Sequence, residues 1–549
     1  DKDRLGINRW AIKLSTNKPA DLLTEIANGI GGKTQVSYTY AASGDNPELP
    51  FPVYAASAVS LVNTFPADRT ASYTQNFTFS GGYYDAGERE FRGFAKVKVS
   101  DPITNNYTET YFYQGRPGQD GALKGQIEKL IAYDGNSRQI SQTLNTYEVR
   151  KAGPQERFLG FPALIETTST VWEENGTSLS TKDKFTYDNI GNVIEQKNEG
   201  DVSKTGDEKS TAISYAQAYQ IGFNRPLETA LKDKDANIVS RKTFEYDSKG
   251  NLIKEIAHIL NSQTGQPANP QTQYAYDSFG NLTTTTNALG NTVTTDYKTD
   301  SYTYPEKVTN ALGQSITYIY EPRFGVVKSA TDANGLVSES IYDSLGRLTS
   351  KQVYPQTGSP ANPLTFTTYA YPDFNTKITT NAIGLSATEY IDGLGRKYKT
   401  VSQGEDGDSA RQVVSEVFYN NRGLTEKESL AHYIVEDVNQ ISYIQYEYDI
   451  RGRIKKTISD FPNTTKDAQS SINYINPLYV ETIDPQGNKT GTLKDIYGNI
   501  IEVTEFTSDG VFKTKYEYDT QSNLIKTTDN QGNITPDILR FTWQKNQDD

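Results

Sequence analysis

Residues 244–256 read FEYDSKGNLIKEI, and nearly the same phrase returns as FTYDNIGNVIEQK, YAYDSFGNLTTTT, YEYDIRGRIKKTI and YEYDTQSNLIKTT. Two aromatics two residues apart share one face of a strand. The Asp that follows can accept hydrogen bonds from backbone N–H groups in a turn, and Gly three residues after Asp can adopt positive φ without a Cβ clash. Each copy therefore predicts a strand, a tight reversal and the start of the next strand. The aromatic pairs are Phe185/Tyr187, Phe244/Tyr246, Tyr274/Tyr276, Tyr318/Tyr320, Tyr369/Tyr371, Tyr446/Tyr448 and Tyr516/Tyr518. The turn pairs are Asp188/Gly191, Asp247/Gly250, Asp277/Gly280, Asp343/Gly346, Asp392/Gly395 and Asp449/Gly452, with Ser522 in the Gly place after Asp519.

A second, aromatic-free phrase alternates with the first: NALGNTV at Asn287, NALGQSI at Asn310, DANGLVS at Asp332, NAIGLSA at Asn381, DPQGNKT at Asp484 and DNQGNIT at Asp529. Asp332 to Asp343 and Asn381 to Asp392 are both 11 residues, while Asn287 to Asn310 spans 23. One beat of about 11 residues is a strand plus a turn, so turns on alternate beats fall on opposite edges of an antiparallel strip. Polar, Gly/Pro-rich stretches such as HILNSQTGQPANPQTQ and VYPQTGSPANPLTF are longer hairpin loops. From residue 168 onward the beat predicts roughly 35 strands and a strip roughly 165 Å long. Open twisted sheets rarely exceed about ten strands without curling, so the strip must wind.

Composition agrees with an all-β reading. The 549 residues include 38 Tyr and 42 Gly, while only 35% are hydrophobic. That share suits a wall one sheet thick, and polar alternate positions favour winding around a space. The net charge of −13 argues against a nucleic-acid partner. With no Cys there is no disulfide framework or thiolate site, and no run approaches a membrane span. The absence of Met leads us to expect that the sequence begins inside a longer polypeptide.

The YDxxGxL phrase resembles the RHS or YD repeat of bacterial polymorphic toxins, of the B component of Tc (ABC) toxin complexes and of animal teneurins. The upstream text LLTEIANGIGGKTQVSYTY, LPFPVY (Leu49 to Tyr54) and FSGGYYDAGEREFRGFAKVKVSD (Phe79 to Asp101) looks like the region before the repeats of Tc toxin B components. The expected organisation is residues 1–33 as the tail of a preceding domain or a linker, 34–167 as this β-rich segment, and 168–549 as the repeat shell. The resemblance implies a hollow, cocoon-like shell, incomplete in this chain, that encapsulates a toxic C-terminal polypeptide before delivery. It implies as partners the cargo and the remainder of the shell, with a translocation-pore component reached through a preceding propeller, and an extracellular toxin complex as the location. The family's C-terminal aspartyl autoprotease is not matched: DPQGNKTG at Asp484 is the nearest text and lacks the rest of the pattern, so no catalytic residue is carried over.

Sharper chemical readings compete with plainer ones. The many Asp could form carboxylate dyads of a glycan-active enzyme, but their fixed spacing to Gly is explained by turn geometry. DKDANIVSRKTF begins like a calcium loop at Asp233, Asp235 and Asn237, yet Ile238 and Phe244 occupy the places of its Gly and bidentate Glu, which favours a hairpin tip. GEDGDSA (Gly404 to Ala410) reads as a solvated loop. His258 and His432 lie 174 residues apart with no HExxH or GxSxG, so catalytic sites, metal sites and cofactors are not predicted. The aromatic pairs are expected to stack into ladders across strands, some of them facing an enclosed space; exposed ladders would instead suit an adhesion or glycan-binding module.

Overall fold

The computed structural model describes residues 22–41, 46–152, 159–216, 224–260, 269–357, 363–404, 411–462 and 467–536. They form 39 strands in one antiparallel sheet, numbered β1 (Glu25–Ala27) to β39 (Ile534–Pro536) in chain order. Sequence neighbours pair throughout, with one exception. β28 (Val413–Tyr419) pairs through its second half with β29 (Thr425–Ser429) and through its first half with the two-residue β30 (His432–Tyr433), so β31 (Tyr443–Tyr448) sits beside β29. Helix appears as single 3-10 turns such as Ala67–Arg69 and Gly121–Leu123. The strands from β9 (Leu159–Trp172) to β39 number fewer than the roughly 35 that the beat predicts, because several strands, among them the ten-residue β10 (Ser178–Tyr187), outrun an 11-residue unit.

Among the described residues the wall has no central hydrophobic core. Buried apolar side chains are few and mostly small, Ala41, Ala163, Ala230, Val337 and Val414 among them. Instead the strands alternate: in β31 Tyr446 and Tyr448 are half-buried while Glu447 is exposed, and Tyr274/Tyr276 and Tyr516/Tyr518 show the same pattern. One face of a single layer is thus partly covered by its own aromatic and aliphatic side chains.

The repeat phrase explains itself at atomic detail. Asp247 Oδ1 accepts from the N–H groups of Lys249 and Asn251 at 2.8 and 2.9 Å, and its Oδ2 accepts from Asn251 Nδ2 at 2.9 Å. Gly250 has φ +84°, and Gly191, Gly280, Gly346, Gly395 and Gly452 lie between +79° and +96°. Even Ser522 adopts +65°. After this turn the register shifts by one residue, which sets Tyr246 opposite Leu252, Tyr276 opposite Leu282, Tyr448 opposite Ile454 and Tyr518 opposite Leu524. The Tyr before Asp and the aliphatic after Gly are therefore cross-strand partners at the bulge. The Tyr hydroxyl also donates to a carbonyl of the preceding strand, as in Tyr187 to Leu164 (2.8 Å), Tyr246 to Pro226 (2.9 Å) and Tyr448 to Thr425 (2.6 Å). Strands diverge there, and the phenol satisfies a carbonyl that the ladder leaves unpaired.

This geometry corrects the ring ladder. Among the described residues, no ring pair joins Phe185, Phe244, Tyr246, Tyr274, Tyr276, Tyr446, Tyr448, Tyr516 or Tyr518, and Tyr187 meets Phe161 edge-on at 6.4 Å. Successive phrases lie on strands that are not neighbours, so, apart from Tyr320, which stacks on Tyr304 at 4.8 Å and meets Tyr318 at 6.2 Å, their rings face aliphatics and backbone rather than one another. Phe185, Phe244 and Tyr274 stand opposite Gln196, Glu255 and Thr285.

Candidate functional site: the seam between turns of the strip

The strip has two rims, and its turns alternate between them. One rim carries the turns around Gly31, Arg69, Asn106, Glu173, Asp207 and Asp233; it receives the opposite rim of strands that lie some 22–26 elements later. Asn375 Nδ2 donates to the Ile30 carbonyl at 2.8 Å, Arg69 donates to Val417 O and Glu416 at 2.7 Å each, and Asn175 Nδ2 donates to Ile475 O at 2.7 Å. Farther along, Tyr497 donates to the Asp207 carbonyl at 2.6 Å and Gln521 to Val239 O at 3.1 Å. Partners are 282 to 348 residues apart in these pairs, and the order never crosses. The strip therefore winds back upon itself. About 23 strands at ~4.8 Å each make a path of ~110 Å, or a turn ~35 Å across.

Polar groups hold the seam. Glu173, the first residue after β9, is 4% exposed and accepts from Arg453 at 2.5 and 3.2 Å and from Arg451 at 3.3 Å. Arg451 also donates to the Trp172 carbonyl, and Arg453 is anchored to its own turn by Asp449, 2.7 Å away. Burial lowers the Arg451 guanidinium from its ordinary value against the pull of Glu173; for Arg453 the bonds to Glu173 and Asp449 outweigh burial and raise it. The pattern repeats at Arg396, which bonds Asp392 within its turn and reaches Tyr73 OH across the seam at 3.0 Å. Arg69 in turn lies over the rings of Phe418 (4.1 Å) and Tyr398 (4.9 Å).

At Gly393 the two turns touch backbone to backbone. Its N–H donates to Asn63 Oδ1 at 2.8 Å and its carbonyl accepts from Asn28 Nδ2 at 2.7 Å. A Cβ on Gly393 would run into the Gly31 carbonyl, and one on Gly32 into the Gly393 carbonyl. Sequence reading singled out Asp392 and Gly395 but missed Gly393, whose signal is the extra Gly in DGLG. It also missed the residue four after Asp. That residue closes the turn onto Asp when it is Asn192, Asn251 or Asn281, and has guanidinium nitrogens left to cross the seam when it is Arg396 or Arg453.

Where Tyr497 docks, a cavity of about 720 Å³ opens between the turns, bordered by Asp207, Lys209, Asp495, Tyr497, Lys515 and Tyr516. Lys209 Nζ lies 3.5 Å from the Tyr497 ring centre. Burial, and then the Asp207 and Asp495 carboxylates, hold the Tyr497 phenol well above its ordinary pKa, and burial lowers the Lys209 ammonium. The upstream segment has its own lock: Arg92 bonds Asp85 at 3.0 Å and Glu88 at 2.6 Å, and the buried Gln114 donates to the carbonyls of Gly81 and Gly93.

The remaining sequence candidates fall into ordinary roles. Asp233 caps the hairpin tip, accepting from Asp235 N and Asn237 N, so its oxygens serve the turn. His258 contacts Thr243 Oγ1 at 2.9 Å, and His432 Nδ1 lies 3.0 Å from Leu430 O. No group of three or more His, Cys, Asp or Glu with metal-binding geometry occurs among the described residues. Residues 405–410 of GEDGDSA lie outside the described residues.

Residues 8–117 match the family model described as the insecticide toxin TcdB middle/N-terminal region, and residues 262–292 match the RHS repeat. The TcdB-type match thus lies ahead of the repeat match in the sequence. The chain's fold is that of the shell in solved Tc toxin structures. The crystal structure of TcdB2-TccC3-TEV superposes with a TM-score of 0.74 at 13% identity, covering 96% of this chain and 40% of that one. TcdB2-TccC3 gives 0.74 at 14% identity over 96% and 38%, and the Photorhabdus luminescens Tc holotoxin pore 0.72 at 13% over 93% and 38%. The chain thus spans about two fifths of the length of these neighbours. No curated protein matches it.

Proposed function

We propose that this chain is a wall segment of a toxin-complex shell whose wound sheet encloses a toxic polypeptide before delivery, and that the wall itself is not an enzyme. The observation that carries this reading is the seam: a strip that returns to bond with its own rim after roughly one turn surrounds a space rather than filling it. The structural likeness along nearly the whole chain to components of Tc toxins supports the same reading. On it, residues 34–167 begin the wall and join it to a preceding domain that leads to a pore component, residues 168–549 continue it, and the Asp/Gly turns and half-buried aromatics serve the wall structurally. The complex acts outside the producing cell. On the half-buried aromatic face Phe185, Phe244 and Tyr274 stand beside Gln196, Glu255 and Thr285 of the next strand, a mixed lining that holds an unfolded chain weakly enough to release it.

The test is protease protection. An unfolded reporter joined after residue 549 should be digested more slowly on the wild-type chain than on the Arg451→Ala/Arg453→Ala variant, whose seam is opened. Equal digestion rates on the two chains would refute enclosure.

A further inference from the structure

The cavity of about 720 Å³ beside Tyr497 lies within the formed seam, between the contact of Tyr497 with the Asp207 carbonyl and that of Gln521 with the Val239 carbonyl. Its walls come from β12 (Lys209–Tyr215), β36 (Ile500–Thr507), β37 (Gly510–Tyr518) and the turns beside them, and each of these strands is paired on both sides. The opening therefore follows from how the two rims meet. Its size falls within the ~300–1,000 Å³ of small-molecule sites.

The polar groups around the cavity divide into spent acceptors and free donors. Seven carboxylates border it, and each already accepts a hydrogen bond. Asp495 takes Tyr497 N and Asn499 N at 2.9 Å each, and Glu502 takes Lys513 at 2.6 Å. By contrast, the side chains of Lys209, Tyr516 and Tyr518 make no hydrogen bond or ion pair among the described residues. Lys209 is held instead over the Tyr497 ring, 3.5 Å from its centre. In four other copies of the repeat phrase the second aromatic, Tyr187, Tyr246, Tyr371 or Tyr448, spends its hydroxyl on a carbonyl, whereas that of Tyr518 is free.

Free donors suit a ligand rich in acceptor oxygens. Seven carboxylates against three ammonium groups make the surroundings net negative, which disfavours an anion, and Lys209 opposes a cation. Tyr516 and Tyr518 stand ~7 Å apart on one face of β37, and neither ring is stacked on another ring or under a cation among the described residues. An uncharged molecule with many acceptor oxygens and apolar faces is a saccharide: its C–H faces pack on phenol rings while its oxygens accept from ammonium and phenol groups. We propose that the cavity binds a short neutral oligosaccharide, with Tyr516 and Tyr518 as the stacking surface and Lys209 as a donor. The site needs the seam formed but nothing enclosed, so protease protection and sugar binding fail independently.

Isothermal titration of the purified 549-residue chain tests this with maltotriose, cellotriose and chitotriose as neutral sugars, sialyllactose as an acidic one and spermidine as a cation. At least one neutral trisaccharide should bind with a Kd below ~1 mM, and neither charged probe should match it. Among variants folded as judged by circular dichroism, Tyr516→Ala should weaken that binding about tenfold, the loss of one ring contact, and Tyr516→Phe, which keeps the ring, should weaken it less. Lys209→Met, which keeps an apolar stem beside Tyr497, should weaken it several-fold. Tyr274→Ala removes the corresponding aromatic of another copy, away from the cavity, and should leave binding unchanged. No binding of any neutral trisaccharide up to ~10 mM would overturn the proposal. Tyr516→Ala and Lys209→Met binding no more weakly than Tyr274→Ala would place the sugar elsewhere and overturn it as well. Tighter binding of spermidine or sialyllactose would assign the cavity to a charged ligand instead.

Discussion

Replacing Glu173 by Gln tests the seam most directly. The change keeps the shape of the side chain but removes a carboxylate whose side chain is 1% exposed and which faces Arg451 and Arg453. Losing one partner of a fully buried charge network is worth about 3–5 kcal/mol. Here the two guanidinium groups are 21% and 29% exposed and Arg453 keeps Asp449, so the lower end, about 3 kcal/mol, applies. That is a factor of about 150 in the constant for local opening. The assay is amide hydrogen exchange in the turn Asp449–Arg453, where Arg451 N and Arg453 N donate to Asp449 Oδ1 at 2.9 Å each. The turn Asp277–Asn281 makes the same two bonds, from Phe279 N and Asn281 N, away from the seam, and is an internal control. Exchange should accelerate about a hundredfold at Asp449–Arg453 and stay unchanged at Asp277–Asn281. Equal behaviour of the two turns, or no acceleration at the first, would show that the Glu173 network does not hold the turns together.

Gly393→Ala should open the opposite end of the seam, since its Cβ meets the Gly31 carbonyl and Asn63; unchanged exchange at Gly31 and Gly32 would refute the close approach. Gly250→Val should lower the melting temperature clearly more than Lys249→Ala, because only the first puts a β-branched residue at φ +84°, at a cost of about 1–2 kcal/mol or more. Acid should weaken the repeat turns: side-chain bonds from Asn251, Asn488 and Asn533 hold Asp247, Asp484 and Asp529 below the usual carboxylate range. A carboxyl depressed in the folded state contributes stability that is fully present above its unfolded pKa of about 3.9 and is lost as pH falls through the lower folded value, so the melting temperature should drop below about pH 4. A melting temperature that holds constant down to pH 2 would contradict this.

How far the sequence reaches follows from the range of the forces involved. Strand, turn and meander were legible because their determinants are local: Asp247, Gly250 and Asn251 complete one turn within five residues, and Tyr246 finds Leu252 across it. The need to wind was also legible, because no flat sheet of so many strands persists. The aromatic ladder was misjudged for a local reason as well, since the one-residue register shift gives each Tyr an aliphatic partner and a carbonyl instead of another ring. Where the winding closes lay beyond the text. That depends on the small twist and coil accumulated per strand over more than twenty strands, and one strand more or less would shift every partner. Only the tertiary structure therefore decides that Glu173 meets Arg453 280 residues away and that Gly393 lies against Gly31.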